Sequence, residues 1–557
     1  MPNPNIGDDI RSIEKAIDFF HQNLNLHRIK NRSLARWYLL LMHEEMIRIP
    51  PLLRAQKDSD WSEHIGPIEY AKGGLKYALH WTDDLLEDDF KIPQIIDQTL
   101  YEDAKDFLDC SINYYGIIAP FVLFGKGLAR AELVNPTTLK FMRDETDASF
   151  ETLEHIFRNS PDSPFVKSAM VPFKQEIDKA FNDLENLFNN AAPDGPEGVK
   201  YHCTHKDIKP LMLVLEQQML STSHLGDEWS LCGIKKQHII KSFAFLKARV
   251  LIHLSCINRA AGVYGITGMG SVSSLLVLEK EGLNRLMAKT TGIDLDIVKK
   301  FTSIMVYDEN LKQKDIALQP LLPISNERIL LAPNLIAMNN MERNFLALTA
   351  KLFKSEYDNA SHHFELKMIN QCENIANRYN LKFSAKKKIR SNNQLPDIDV
   401  AFYEKSSNVL LLCECKVIIA PSEPSEIIER NKRELEGCEQ ANEIKKYSKT
   451  NAELIWQSCF PSNEYPTPKF YFVVLLNGHF GSKHSIDAAI PAIELDFFSA
   501  LLDKFKTLNK VAEYLVSFEY LPKKGKDFEI VETKLTFGKY TIIWQANQLK
   551  SKTDDSR

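Results

Sequence analysis

Hydrophobic residues return every three or four positions through most of the first 190 residues, as in "IEKAIDFFHQNLNL", "SLARWYLLLMHEEMIRI" and "FKQEIDKAFNDLENLFNN". That period predicts amphipathic helices. The segment "NNAAPDGPEGVK" (residues 189–200) concentrates Pro, Gly and Asp, which break helix and strand alike, and predicts a linker. A second mostly helical block follows to about residue 314 and contains "KKQHIIKSFAFLKARVLIHLSCINRAAG". At residues 315–336 the pattern becomes two short apolar runs separated by "PISNER", which predicts a hairpin leading into the helix "NNMERNFLALTAKLF".

The polar stretch "KSEYDNAS" then reads as the cap of a new helix starting near Ser361, with Phe364, Met368, Cys372, Ile375 and Tyr379 as its apolar stripe. Beyond it come the strand candidate "LKFSAKKKI", the pair of runs in "QLPDIDVAFYEKSSNVLLLCECKV", the polar helix "IIERNKRELEGCEQANEIKKY" and the apolar strand "KFYFVVLL". The expected fold class is α plus α/β, a large helical region followed by a mixed-sheet domain of order αβββαβ. Its segments are a helical domain at 1–190, a second mostly helical block at 191–314, a hairpin and bridging helix at 315–354, the mixed-sheet domain at 355–485, and a C-terminal extension at 486–557. The extension ends in the hairpin pattern "FEIVETKLTFGKYTIIWQ".

Strand side chains alternate faces, so Ile398, Val400 and Phe402 are predicted on one face and Asp397, Asp399 and Ala401 on the other. In the next run, Leu411, Cys413, Cys415 and Val417 oppose Leu412, Glu414 and Lys416. With "KSSN" as the turn, Glu404 pairs Val409, which sets Val400 opposite Cys413, Asp399 opposite Glu414 and Asp397 opposite Lys416. Opposed carboxylates repel at close range, and a purely structural hairpin avoids them. A divalent cation would remove the repulsion, and Mg²⁺ typically takes one or two carboxylates while keeping positions for water and phosphate oxygens. Lys416 would place an ammonium beside a phosphate or an attacking water, an arrangement suited to phosphodiester hydrolysis.

Composition narrows the setting. A chain of 557 residues, 44% hydrophobic, is too long for one core. Its net charge of −5 gives no global pull toward nucleic acid or an anionic membrane, so a nucleic-acid partner needs a local basic surface. Nine scattered cysteines without a CxxC pair argue against a disulfide framework and for a reducing cytoplasm. The amino terminus lacks the basic-then-apolar pattern of a secretion signal. The apolar stretch from Tyr114, interrupted by Pro120, Gly125 and Lys126, is too short to span a bilayer, so no membrane partner is expected.

The helix, the acid-bearing strand, the apolar strand ending in Glu-x-Lys and the following helix together resemble the PD-(D/E)XK nuclease superfamily, over residues 361–476. The resemblance implies a metal-dependent nuclease, an endonuclease acting on DNA over RNA, with Mg²⁺ or Mn²⁺ held by Asp399, Glu414 and the backbone carbonyl of Cys415. It implies Lys416 as the catalytic lysine, Glu365 as the first-helix glutamate and Gln440, with Tyr447, on the helix after the third strand. Tyr447 is seven residues from Gln440, against four in the common pattern. Both Asp397 and Asp399 fall on the site face, and either could be the principal ligand; cross-strand pairing favours Asp399. The helical region would then bind a protein partner or a second copy, and a bacterial genome-defence or restriction role fits the architecture. The rival reading is a non-catalytic nucleic-acid-binding or scaffold protein with a nuclease-like domain.

Other motifs read plainly. Cys413 and Cys415 point into the core. His202, Cys203 and His205 in "YHCTHKD" lack a fourth zinc ligand. "GVYGITGMGS" lacks the lysine of a phosphate loop and reads as a turn. The acids of "MHEEM" read as a solvated helix surface. Lys386, Lys387, Lys388 and Arg390 form a basic run before the acidic strand, either a phosphate-facing surface or a solvated edge strand.

Overall fold

The computed structural model describes residues 6–19, 29, 31–47, 62–85, 90–159, 173–195, 198–223, 225–265, 272–311, 314–389, 396–421, 424–461 and 466–550. It is a mixed α/β protein, with a mostly helical N-terminal region and the largest sheet in the C-terminal half. The first helices are α1 (Ile6–Asp18), α2 (Arg32–Met46), α3 (Ser62–Trp81) and α4 (Gln98–Gly125). Helix α4 runs through Pro120 and ends at Gly125, so the sequence expectation of a short broken stretch is corrected: the proline gives up one hydrogen bond without ending the helix. Its 28 residues include an 18-residue window of mean hydropathy 1.4, the length and composition of a membrane span, yet half of that window is buried inside the protein. It packs against α2 and α3.

A hairpin, β1 (Arg130–Asn135) and β2 (Thr138–Met142), interrupts the helices expected for residues 1–190, and α5 (Glu145–Asn159) follows it. The expected linker at 189–200 carries a short hairpin instead, Ala192–Asp194 pairing with Gly198–Lys200. Helices α6 (His205–Thr222) and α7 (Lys236–Tyr264) form the second helical block, where Gly265 ends α7 in the left-handed conformation. The rest of "GVYGITGMGS", from residue 266, lies outside the described residues. Strand β3 (Leu276–Glu279) joins the expected hairpin of β4 (Leu321–Pro323) and β5 (Arg328–Leu331) in a sheet of order β3-β5-β4.

Three helices lead to the largest sheet: α8 (Pro333–Met338), α9 (Met341–Leu352) and α10 (Lys354–Arg378). Helix α10 begins at Lys354, so "KSEYDNAS" is helix and not its cap; the Ser361 hydroxyl donates back to the Asp358 carbonyl, as serine does inside helices. The sheet is built from β6 (Lys382–Lys387), β7 (Ile398–Glu404), β8 (Val409–Lys416), then α11 (Pro424–Cys459), β9 (Lys469–Leu476) and β10 (Ala492–Glu494). Its order is β6-β7-β8-β9-β10, antiparallel for the first two pairings and parallel for the last two. Interior strand β9 reads "KFYFVVLL" because both its faces are covered. On one side lie α10, through Met368 and Cys372, with α12 (Leu495–Phe505) and α13 (Leu508–Val516). On the other lies α11, through Cys438, Ala441, Ile444 and Trp456.

The terminal hairpin, β11 (Phe528–Phe537) and β12 (Tyr540–Leu549), pairs as expected, and β12 also pairs in parallel with β2. The sheet β1-β2-β12-β11 thus ties the C-terminal segment to the N-terminal helices over a core that includes Ile117, Phe121, Phe141 and Ile542.

The acids of "MHEEM" correct another expectation. Helix α2 is buried around most of its circumference, leaving no solvated face for Glu44. Its carboxylate accepts from the backbone N–H groups of Asn334 (2.6 Å) and Leu335 (3.0 Å) at the start of α8. Burial raises it to about 7 against those hydrogen bonds.

Candidate active site

The ladder between β7 and β8 has the expected register, from Glu404↔Val409 to Val400↔Cys413. There it stops, and the strands separate. Past that point the Cys415 N–H donates 2.8 Å to Asp399 Oδ2, so a side chain takes the place a β7 carbonyl would hold. Two local departures accompany the separation. Lys386, beside Asp399's stretch on edge strand β6, has φ of +50°. Ile398 packs with Ala401 and Tyr403 on the α11 side, not with Val400 and Phe402, because strict alternation fails where the ladder ends.

Glu414 and Lys416 face α11. Lys416 Nζ donates to Glu414 Oε1 at 2.7 Å and to Gln440 Oε1 at 2.5 Å. Gln440 sits one turn from Gly437 on α11, and the lysine's carbon stem lies over that glycine. A Cβ at Gly437 would meet Val474 Cγ1 at 3.0 Å and Lys416 Cγ at 3.1 Å. The glycine therefore makes room for Lys416 to reach Glu414 and Gln440 together, a role not read from the sequence; a lone glycine in a helix one turn before Gln440 was the available signal. Gly437→Ala should push Lys416 away from Gln440, because the added methyl meets the lysine stem, while the gain of up to about 1 kcal/mol in helix propensity keeps the melting temperature at or above that of wild type. Calorimetry and a structure of the variant check both.

Glu414 is 5% exposed and borders a small cavity lined otherwise by apolar side chains, among them Ile398, Leu412, Ala441 and Phe472. Among the described residues, no donor faces its buried Oε2, and with one proton between them the Glu414 and Asp399 carboxyls hydrogen-bond to each other. Burial, and then the charge of Asp399, push the Glu414 carboxyl up to about 8, against the pull of Lys416. Burial likewise raises Asp399, against the Cys415 N–H and Lys416, and the charge of Glu365 raises it further. Adjacent carboxyls, one buried and one partly buried, cannot both ionise cheaply, so near neutral pH Glu414 keeps a proton.

The remaining sequence-predicted residues fall as follows. Glu365, on α10, is near enough for its charge to act on Asp399 and pairs with Lys386 at 3.4 Å. Asp397 is exposed, just before β7 and beyond the end of the ladder, and Lys416 reaches Glu414 and Gln440 in place of Asp397. Tyr447 lies two turns beyond Gln440, packed on the Tyr403–Trp456 side of the core, with its carbonyl accepting from Asn451. Cys413 and Cys415 point into the core that contains Cys372. Lys386 to Lys388 lie on and beside the edge strand, and Arg390 lies outside the described residues. His202 and Cys203 precede α6 and His205 is its first residue, where Thr204 caps the helix. All nine cysteines are free thiols.

Among the described residues, no three His, Cys, Asp or Glu side chains gather into a ready metal cage. The carboxyl pair nevertheless fits a hard divalent ion: without the shared proton, Glu414 Oε2 faces no donor and Asp399 lies beside it. Cys415 fits too. The N–H and C=O of one strand residue project toward the same neighbour, so its carbonyl faces the gap occupied by Asp399. Comparison with family models, with curated proteins and with solved structures gives no match.

Proposed function

We propose that the chain is a metal-dependent nuclease of the restriction-endonuclease-like kind, hydrolysing phosphodiester bonds in DNA. The observation that carries this reading is the pair of buried Glu414 and partly buried Asp399, with Lys416 held against the glutamate and against Gln440. A buried glutamate that an adjacent aspartate holds protonated, on the face of a lysine and a glutamine, is poorly explained as packing and well explained as a cation site once the proton leaves.

Asp399, Glu414 and the Cys415 carbonyl would hold Mg²⁺ or Mn²⁺, with Glu365 able to join after leaving Lys386. When bound, the ion supplies charge stabilisation and an activated water for attack at phosphorus. Glu414 must give up its proton to serve as a ligand. Lys416 stabilises negative charge developing on the phosphate oxygens, and Gln440 fixes the direction of its ammonium. Lys387 and Lys388 offer positive charge to the DNA backbone. Residues 381–450 carry 13 Lys plus Arg against 11 Asp plus Glu, so sequence-independent affinity should be modest and salt-sensitive.

Calorimetric titration with Mn²⁺ tests the site directly. One ion should bind with release of a proton at pH 7, seen as a binding enthalpy that changes with the buffer, and Asp399→Asn should remove the binding. Binding that is unchanged in Asp399→Asn would place the ion elsewhere.

A further inference from the structure

Strand β6 changes phase at Lys386. Phe383 and Ala385 pack on the α10 side of the sheet, so alternation would carry Lys386 to the α11 side. Its ammonium instead lies 3.4 Å from Glu365 Oε1 on α10, and Ile389 further on packs on the α11 side. The backbone of Lys386 makes this reversal, at φ +50°. Among the described residues other than glycine that have a positive φ, Lys386 alone lies inside a strand; the others fall in turns or just past helix ends. Left-handed backbone is costly for a lysine, whose side chain offers the main chain no local hydrogen bond, and such strain gathers at functional sites.

The ladder runs from Ala385↔Val400 to Lys387↔Ile398, which sets Lys386 opposite Asp399. Glu365 is close enough for its charge to act on Asp399, so the lysine, the glutamate and the aspartate form one corner of the candidate active site. His362 Nδ1 stands 3.9 Å from the other Glu365 oxygen. The Lys386 and Glu365 side chains are 40% and 36% exposed, and an ion pair so open to water contributes too little to account for a strained strand. The direction of Lys386 is better explained by what arrives there. On the edge strand of the sheet, its ammonium is open to a phosphate backbone approaching the Asp399–Glu414 pair.

We propose that Lys386 is a latch released by substrate: it holds the Glu365 carboxylate in the free protein and passes to a backbone phosphate when DNA docks, which leaves Glu365 to join Asp399 and Glu414 as a ligand. This rests on the metal-site reading above and adds the regulation of that site. Lys386 acts through Glu365 and is a positioning residue. DNA and the divalent ion then reinforce each other's binding, because each favours the open latch and coupling between sites is reciprocal.

The test is calorimetric titration of the full chain with Mn²⁺, with and without a short DNA duplex, every protein carrying Lys416→Ala so that the duplex stays whole. Without DNA, Lys386→Met should bind Mn²⁺ about two- to fivefold more tightly than its parent, the contribution of a part-exposed ion pair. With DNA the two should bind it alike, so the gain conferred by DNA shrinks by the same factor. Lys386→Arg should behave as the parent, and in a Glu365→Gln background Lys386→Met should change nothing, which separates a latch from a general loss of positive charge. Should Lys386→Met fail to fold, Lys386→Gln is judged by the same criteria. Equal Mn²⁺ affinity of parent and Lys386→Met without DNA, a gain from DNA that is the same in both, or a tightening that persists with Glu365→Gln would overturn the latch and leave the metal site standing. Absence of Mn²⁺ binding by the parent, or binding unchanged by Asp399→Asn, would overturn the metal-site reading itself and the latch with it.

Discussion

Glu414→Gln should lower Mg²⁺-dependent DNA cleavage by about three orders of magnitude, while making the metal-free protein more stable at alkaline pH. The first effect follows from removing an anionic ligand and the charge it positions, a loss of the size seen when preorganised electrostatic groups are deleted. The second follows from linkage. The Glu414 carboxyl stands at about 8 in the folded protein against 4.5 as its ordinary value. Between those values the folded state binds more protons than the unfolded state, so stability is full below the lower value and declines as pH rises through the upper one. Glutamine carries no such penalty. Melting curves in EDTA should therefore diverge from about pH 6 upward, with the variant melting higher, and converge near pH 4.5 or below. Added Mg²⁺ should raise the wild-type melting temperature most at high pH and leave Glu414→Gln nearly unmoved. A variant that melts lower at every pH would mean that Glu414 is a structural group.

Lys416→Ala should reduce turnover by about two to three orders of magnitude and leave the metal concentration for half-maximal activity close to that of wild type. The ammonium lies against Glu414 Oε1 and Gln440 Oε1 and is not itself a ligand, so its removal takes away charge stabilisation and orientation of the reacting groups. A modest opposing effect on metal binding is expected at neutral pH, since losing Lys416 lets Glu414 hold its proton more firmly. Rates measured across Mg²⁺ concentration at saturating DNA separate the two. A variant restored to wild-type rate simply by more metal would assign Lys416 to ligand positioning instead.

Much of the β7–β8 geometry was legible because a short polar turn fixes a register. "KSSN" sets Glu404 against Val409, and the apolar faces of Val400, Phe402, Leu411 and Cys413 then agree with it. What alternation does not convey is where a ladder stops. The separation after Val400 turns Ile398 toward α11 and lets Asp399 accept from Cys415. Gln440 beside Lys416 follows from the family resemblance, whereas the meaning of Gly437 depends on how closely α11 approaches β8, which no local pattern conveys. The missed hairpin of β1 and β2 shows a different limit. Its strands mix exposed Glu132 and Val134 with buried Leu139 and Phe141, and its partner β12 lies some four hundred residues away along the chain. Local spacing gives the period of a helix but not how many of its faces are covered, and that is why Glu44 reads as solvated from sequence yet lies buried.

Cleavage by the purified full chain addresses the central claim most directly. Supercoiled, linear and single-stranded DNA and a structured RNA are incubated with Mg²⁺, with Mn²⁺ or with EDTA, beside Asp399→Ala and Glu414→Ala proteins purified identically and shown to be folded. The account predicts cleavage of at least one DNA form by wild type, dependent on the cation, and none by either variant. Equal cleavage by wild type and variants, or cleavage that persists in EDTA, would contradict it.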